Sequence, residues 1–202
     1  MRYHRPTYSA AMRFQRTTFP DALNVVTLAT AKSHLRVEHS TDDALITTLI
    51  SVAQDLVEGY TGAFLQTTTG HFYFDSFDEF INLHAGPRLT INTETDGVTY
   101  MNDQDVRTTI PAIDYQIEGI GYPARLRMMS IPTDINDELN AVRVDVTCGY
   151  TNDDRPDALI AAMLLIIGHL YENRQDVGQF KTFETPLASR YLMEPYRLKS
   201  FT

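Results

Sequence analysis

Between residues 42 and 61 apolar side chains recur at helical spacing. Leu45, Ile46, Leu49, Ile50, Val52, Ala53, Leu56, Val57 and Tyr60 share a broad face, while Thr47, Thr48, Ser51, Gln54, Asp55 and Glu58 fall largely opposite. Thr41 opens this helix with Asp42 and Asp43 in its first turn, where carboxylates complement the helix dipole, and Gly59 and Gly62 close it. A shorter helix precedes it, capped by Thr27 and ending near Val37, with Leu28, Ala31 and Leu35 on one face. A second long helix runs from Pro156 to about Tyr171. Its stretch 159–167 is apolar all round, which predicts burial on most sides, either centrally in its own domain or at a subunit interface. A last short helix, 187–193, follows Pro186 and stops at Pro195.

From Leu65 to Tyr150 the period changes to two. Segments 71–74, 80–83, 89–91, 115–117 and 126–128 read as short strands, and Asp96-Gly97 is a two-residue hairpin signal. The clearest strand is 142–148, with Val142, Val144, Val146 and Cys148 on one face. The pattern therefore predicts an α+β protein. A helical bundle, made of a short helix, two long helices and a C-terminal short helix, carries an inserted, mostly antiparallel β subdomain. Its expected divisions are a flexible basic arm (1–23), a helical part (24–64), the β insertion (65–150), and a second helical part with a C-terminal tail (151–202).

Composition narrows the function. At 202 residues the chain suits one domain with a subdomain, and its net charge of −9 argues against a dedicated DNA binder. Without an apolar leader or a 20-residue apolar run, it reads as a soluble protein made inside the cell. The one cysteine, Cys148, gives neither a disulfide nor a zinc set, and its place on an apolar strand face makes it a core thiol. The arm carries Arg2, Arg5, Arg13 and Arg16 with no acid before Asp21, and is a candidate docking segment for a partner. The acids concentrate elsewhere: Asp96, Asp103, Asp105, Asp114, Glu118, Asp134, Asp137, Glu138, Asp145, Asp153 and Asp154 form a solvated surface or one that repels phosphates.

Catalytic and metal patterns are weak. The histidines (His4, His34, His39, His71, His84, His169) show no metal-ligand spacing, and Asn92-x-Glu94-x-Asp96 only faintly echoes a calcium loop. The carboxylate pairs Asp42/Asp43 and Asp153/Asp154 sit at helix starts, leaving Asp75/Asp78 as the remaining pair for a hydrolase. No nucleophile elbow, P-loop or dinucleotide fingerprint is present, so no enzyme, metal or cofactor is expected.

Several of these segments together resemble a known family. Residues 26–37 (VTLATAKSHLRV), 41–46 (TDDALI) and 57–62 (VEGYTG) are similar to the opening of the head–tail connector, or adaptor, proteins of long-tailed double-stranded DNA phages. Cys148-Gly149-Tyr150, Pro156, residues 169–174 (HLYENR) and residues 192–197 (LMEPYR) resemble the family's second half, in the same order. The resemblance implies a non-enzymatic virion protein at the head–tail junction, made in the host cytoplasm. Its subunits would form a ring, dodecameric in the family, that lies under the portal, extends the DNA channel and offers a platform for a stopper or tail protein. DNA would pass without sequence-specific binding, and no membrane is involved.

It further implies portal contact by Tyr196, Arg197, Lys199 and Phe201. Leu49, Leu56, Tyr60, Leu164, Ile167 and Tyr171 become core or subunit-interface candidates. The rival readings are a tail-side completion or stopper protein, a small hydrolase using β-subdomain carboxylates, and a DNA-binding module using the basic arm.

Overall fold

The computed structural model describes residues 12–93, 96–119, 121–173 and 187–198. They form two compact units, one of strands and one of helices, so the α+β class holds. The strand unit takes the described residues up to Phe19 and then Thr68–Cys148; the helical unit takes Pro20–Thr67 and the residues from Gly149 onward.

In the strand unit, β1 (Arg13–Arg16), β2 (Thr68–Phe74), β4 (Thr90–Ile91), β5 (Val98–Met101), β6 (Arg107–Thr109) and β9 (Val142–Cys148) make one antiparallel sheet. Its order is β1-β2-β9-β5-β6, with β4 also on β9. β3 (Phe80–Leu83), β7 (Tyr115–Glu118) and β8 (Ala124–Met128) make a second antiparallel sheet, with β8 in the middle. Alternation explains the packing. On β9 the even-numbered residues Val142, Val144, Val146 and Cys148 are buried, opposite Phe72 and Phe74 of β2. Leu83, Leu126 and Met128 supply the buried face of the second sheet.

Two local expectations are corrected. Residues 13–16, assigned from sequence to the unpatterned arm, form β1. Phe14 lies 4.8 Å from the Phe72 ring, over Gly70, where an added Cβ would come within 2.5 Å of the Phe14 ring. The missing side chain at Gly70 is thus the slot that seats β1, a pairing with no period-two signal in so short a strand. Asp96-Gly97 does not make a two-residue hairpin. β4 and β5 both pair with β9, Ile91 opposite Val146 and Val98 opposite Val144, so they follow one another along the same side. Asp145 ties both ends of the excursion through its main chain, accepting from Asn92 N–H at 2.8 Å and donating to Gly97 O at 2.7 Å.

The helical unit contains α1 (Leu28–Leu35), α2 (Asp43–Thr61), α3 (Asp157–Glu172) and α4 (Leu187–Met193). The Thr27 side chain accepts from Thr30 N–H, as expected of its cap, and Arg36 ends α1 in the left-handed region at φ 57°. Gly62 ends α2 at φ 72°, a conformation a side chain would strain. Ile46, Ile50, Ala53 and Val57 make a single fully buried stripe on α2, narrower than the face the pattern outlined. α3 carries the core. Leu159, Ala162, Met163, Ile166 and Ile167 are buried, and Ile160, Leu164 and Leu170 are partly buried against the same cluster. No residue of α3 between Ala158 and Tyr171 is exposed, because α1, α2 and α4 all pack on it. Of the two places open to an all-round apolar helix, it occupies the centre of its own unit.

A buried polar network closes the helical unit where α2 ends. Glu58 Oε1 accepts from Leu65 N–H and from Gln54 Nε2, each at 2.9 Å, and Gln66 Nε2 donates to Asp21 O at 2.9 Å. Arg155, 9% exposed, donates from Nε to Leu65 O at 2.6 Å and from Nη2 to Asn152 Oδ1 at 2.8 Å. Burial lowers its pKa, against a smaller raising by Asp154, and these acceptors compensate the lost hydration.

Candidate interface of the helical unit

The motif residues meet pairwise at the two ends of α2. At its start, Lys32 Nζ contacts Asp43 Oδ1 at 2.6 Å, and Tyr171 Oη donates to Asp42 Oδ2 at 2.5 Å. Asp42 therefore joins α3 to α2 and makes no side-chain cap bond of its own, a use beyond the dipole role expected of it. His34 lies against Gly168, since a Cβ there would sit 3.5 Å from His34 Nε2. The KSHLRV, TDDALI and HLYENR segments are thus one assembly of side chains.

At the other end of α2, Tyr60 Oη donates to Glu194 Oε2 at 2.7 Å, and the Arg197 guanidinium lies 5.4 Å from the Tyr60 ring centroid. Leu198 N–H donates to Thr61 O at 2.7 Å, which satisfies a carbonyl left open at the helix end. The bond to Glu194, then burial and the Glu194 charge, raise the Tyr60 pKa, against smaller lowering by Arg197 and Arg190. The phenol is therefore a stable donor at neutral pH. VEGYTG and LMEPYR meet here.

The expected interface residues separate by burial. Ile167 is fully buried; Leu49 and Leu164 are partly buried against the core; Tyr60 and Tyr171 face the two hydrogen-bonded ends. Leu56, at 46% exposed, stands outside, beside Val52 at 38%. With Ala44, Thr48, Ser51, Asp55 and Gly59 they form the exposed side of α2, which carries one charge. Tyr196 is half-buried in the 3-10 turn Glu194–Tyr196, and Arg197 is exposed. Arg13 and Arg16 lie on β1, where Arg16 Nε donates to Thr18 O at 2.9 Å. Arg2, Arg5, Lys199 and Phe201 lie outside the described residues. Sequence patterning missed Val52 as an exposed residue, as well as the roles of Gln54, Gln66 and Arg155; the one clue was that these long polar side chains border apolar runs.

The strand unit holds its own charged cluster. Asp145, 3% exposed, has Oδ1 2.7 Å from His71 Nδ1 and 2.8 Å from Arg143 Nε, and its Oδ2 accepts from Arg143 Nη2 at 3.2 Å. Arg143 reaches on to Asp96 at 2.9 Å. Asp145 therefore does not belong to the solvated acidic surface. Asp75 Oδ1 accepts from Asn140 N–H at 2.8 Å, while Asp78 is exposed. Among the described residues no group of three or more His, Cys, Asp or Glu could hold a metal ion, and no helix is long and apolar enough to cross a membrane.

The two-unit α+β fold is similar to that of chains in gene transfer agent particles. A chain in "Neck of empty GTA particle computed with C6 symmetry" superposes with a TM-score of 0.75 at 18% identity, covering 94% of this chain and 97% of that one. Chains in "Virion of native gene transfer agent (GTA) particle" and "Neck of native GTA particle computed with C12 symmetry" give 0.72 and 0.71 at the same identity and coverage. Residues 25–92 match the family described as "Phage gp6-like head-tail connector protein". The family recognised from KSHLRV, TDDALI and VEGYTG is the family matched. No curated protein matches the chain significantly.

Proposed function

We propose that this chain is a structural, non-enzymatic subunit of a head–tail connector ring in a virion or virion-like particle. The observation that carries this reading is the family match over residues 25–92, the stretch whose motif side chains build both ends of α2. Ring assembly places the exposed side of α2, with Val52 and Leu56, against a neighbouring copy. The C12 symmetry of the similar particle neck supports a dodecamer. The ring lies under the portal, lengthens the DNA channel and receives a stopper or tail protein.

The C-terminal segment docks on the portal through Tyr196, Arg197, Lys199 and Phe201, starting from the anchor at Tyr60 and Thr61. The arm residues Arg2, Arg5, Arg13 and Arg16 serve a partner contact, and acidic loops let DNA pass without sticking. Electron microscopy of the purified protein, alone and with its portal, tests this. Rings in either condition support it; absence of rings in both, with no portal binding, refutes it.

A further inference from the structure

The open face of the β3-β8-β7 sheet carries a cleft. Ile81, Leu83, Ala124, Leu126 and Met128 are buried on the other side, so alternation turns Phe80, Arg125, Arg127, Gln116 and Glu118 outward. Phe80, Arg127 and Gln116 are cross-strand partners in one row, with Arg125 and Glu118 paired in the next row of that face. Together with Ile117 they line a cleft of about 420 Å3. Its two cations are only loosely held inside the chain. Arg127 stands 3.5 Å from Glu79 and 5.3 Å from the centre of the Phe80 ring, which is 58% exposed. Arg125 stands 3.7 Å from Glu118, whose Oε1 already accepts from Gly121 N–H at 2.8 Å. A guanidinium has five N–H donors, so each arginine can take a further carboxylate.

The same unit presents a tip of complementary chemistry. Asp137, Glu138 and Leu139 are exposed, Leu139 to 80%, between two tied residues. Asn136 N–H donates to Met101 O at 2.9 Å, and Asn140 N–H donates to Asp75 Oδ1 at 2.8 Å. A tip fastened at both ends loses little conformational freedom when it docks. None of its residues lines the cleft of its own chain. We propose that Asp137-Glu138-Leu139 of one copy docks in this cleft of a second copy, with Leu139 against Phe80 and the two carboxylates on Arg125 and Arg127. Two unlike patches that fit each other make a heterologous contact, the kind that propagates around a ring. The contact rests on the ring reading and names a seam for it on the strand unit. Asp137 and Glu138 then serve that seam rather than the channel.

The test mixes two full-length chains, one carrying Gln116→Cys and the other, isotope-labelled, Leu139→Cys. Both positions are exposed, and Cys148 is buried and stays. After equilibration in glutathione, mass spectrometry reads disulfides between unlike chains and between like chains. Docking brings residue 139 to residue 116 and not to another residue 139, so the unlike disulfide exceeds the like ones by about tenfold. Adding Arg125→Glu/Arg127→Glu to the Gln116→Cys chain removes the excess, and adding Asp137→Lys/Glu138→Lys to the Leu139→Cys chain restores it. Equal yields of unlike and like disulfides overturn the proposal, as does an excess that survives the arginine reversal alone. Electron microscopy of the same samples keeps the two readings apart. Rings without the excess remove this seam alone, the excess without closed rings removes the ring reading alone, and absence of both removes both. If Gln116→Cys lowers the thermal midpoint, Asn82→Cys, exposed opposite Arg125 on β3, replaces it with the same criteria.

Discussion

Leu56→Glu separates a subunit that folds from one that assembles. Leu56 is 46% exposed on α2, outside the buried stripe of Ile46, Ile50, Ala53 and Val57, so its removal opens no cavity in the chain. Surface changes of this kind shift folding stability by about 0.5 kcal/mol or less. In a ring the balance differs. Burying a whole leucine contributes roughly 2–3 kcal/mol, so the half still exposed leaves about 1 kcal/mol to gain at each seam. Leu56→Ala removes about that much, and Leu56→Glu adds the cost of taking a carboxylate from water, several kcal/mol if unpaired.

Because a closed ring repeats the seam at every subunit, even the smaller loss compounds. Analytical ultracentrifugation and electron microscopy over a concentration series read assembly, and the thermal midpoint serves as the folding control. The expected result is an unchanged midpoint with assembly weakened for Leu56→Ala and abolished for Leu56→Glu. Rings forming at wild-type concentrations with Leu56→Glu would refute this seam, while leaving the family match untouched.

Gly70→Val should unseat β1. A Cβ at Gly70 would stand 2.5 Å from the Phe14 ring and 2.8 Å from Gln15 O, an overpacking that costs about 1–3 kcal/mol; trypsin should then cut at Arg13 and Arg16 faster than in the wild type. Arg155→Leu removes the donor to Leu65 O and leaves a buried carbonyl unpaired, so urea unfolding should report a loss of about 1–3 kcal/mol with an unchanged slope. Tyr100 has a raised pKa, first through burial and then through its hydrogen bond to Asp134. A phenol whose folded pKa exceeds its unfolded value near 10 contributes stability that is present below about pH 10 and is lost as pH rises through the folded value. Tyr100→Phe should flatten that alkaline decline, read from thermal midpoints across pH 8 to 12, and an unchanged decline would remove Tyr100 as its source.

Much of the helical unit was legible in the sequence because each signal there is local. The apolar period of α2, the Thr27 cap, the left-handed glycine at position 62 and the bracketing of α4 by Pro186 and Pro195 act within a turn or two of chain. The resemblance to the head–tail connector family was legible for the same reason, since residues 26–37, 41–46 and 57–62, all inside the matched stretch 25–92, are short runs of chain. The long alternation in residues 142–148 likewise announced β9 and its buried face.

Tertiary structure decided the rest, because those choices depend on residues far apart in the chain. β1 exists through a slot at Gly70, which no property of Arg13–Arg16 reveals. Asp96-Gly97 had the chemistry of a tight hairpin, yet β9 offered one long edge on which both β4 and β5 could pair. Asp145 looked like one more surface acid until its strand neighbours placed His71 and Arg143 around it. The apolar circumference of α3 stated only that it must be covered; α1, α2 and α4 of the same unit supply that cover. That left Val52 and Leu56 as the large apolar residues of α2 turned outward, a distinction of packing that periodicity alone cannot draw.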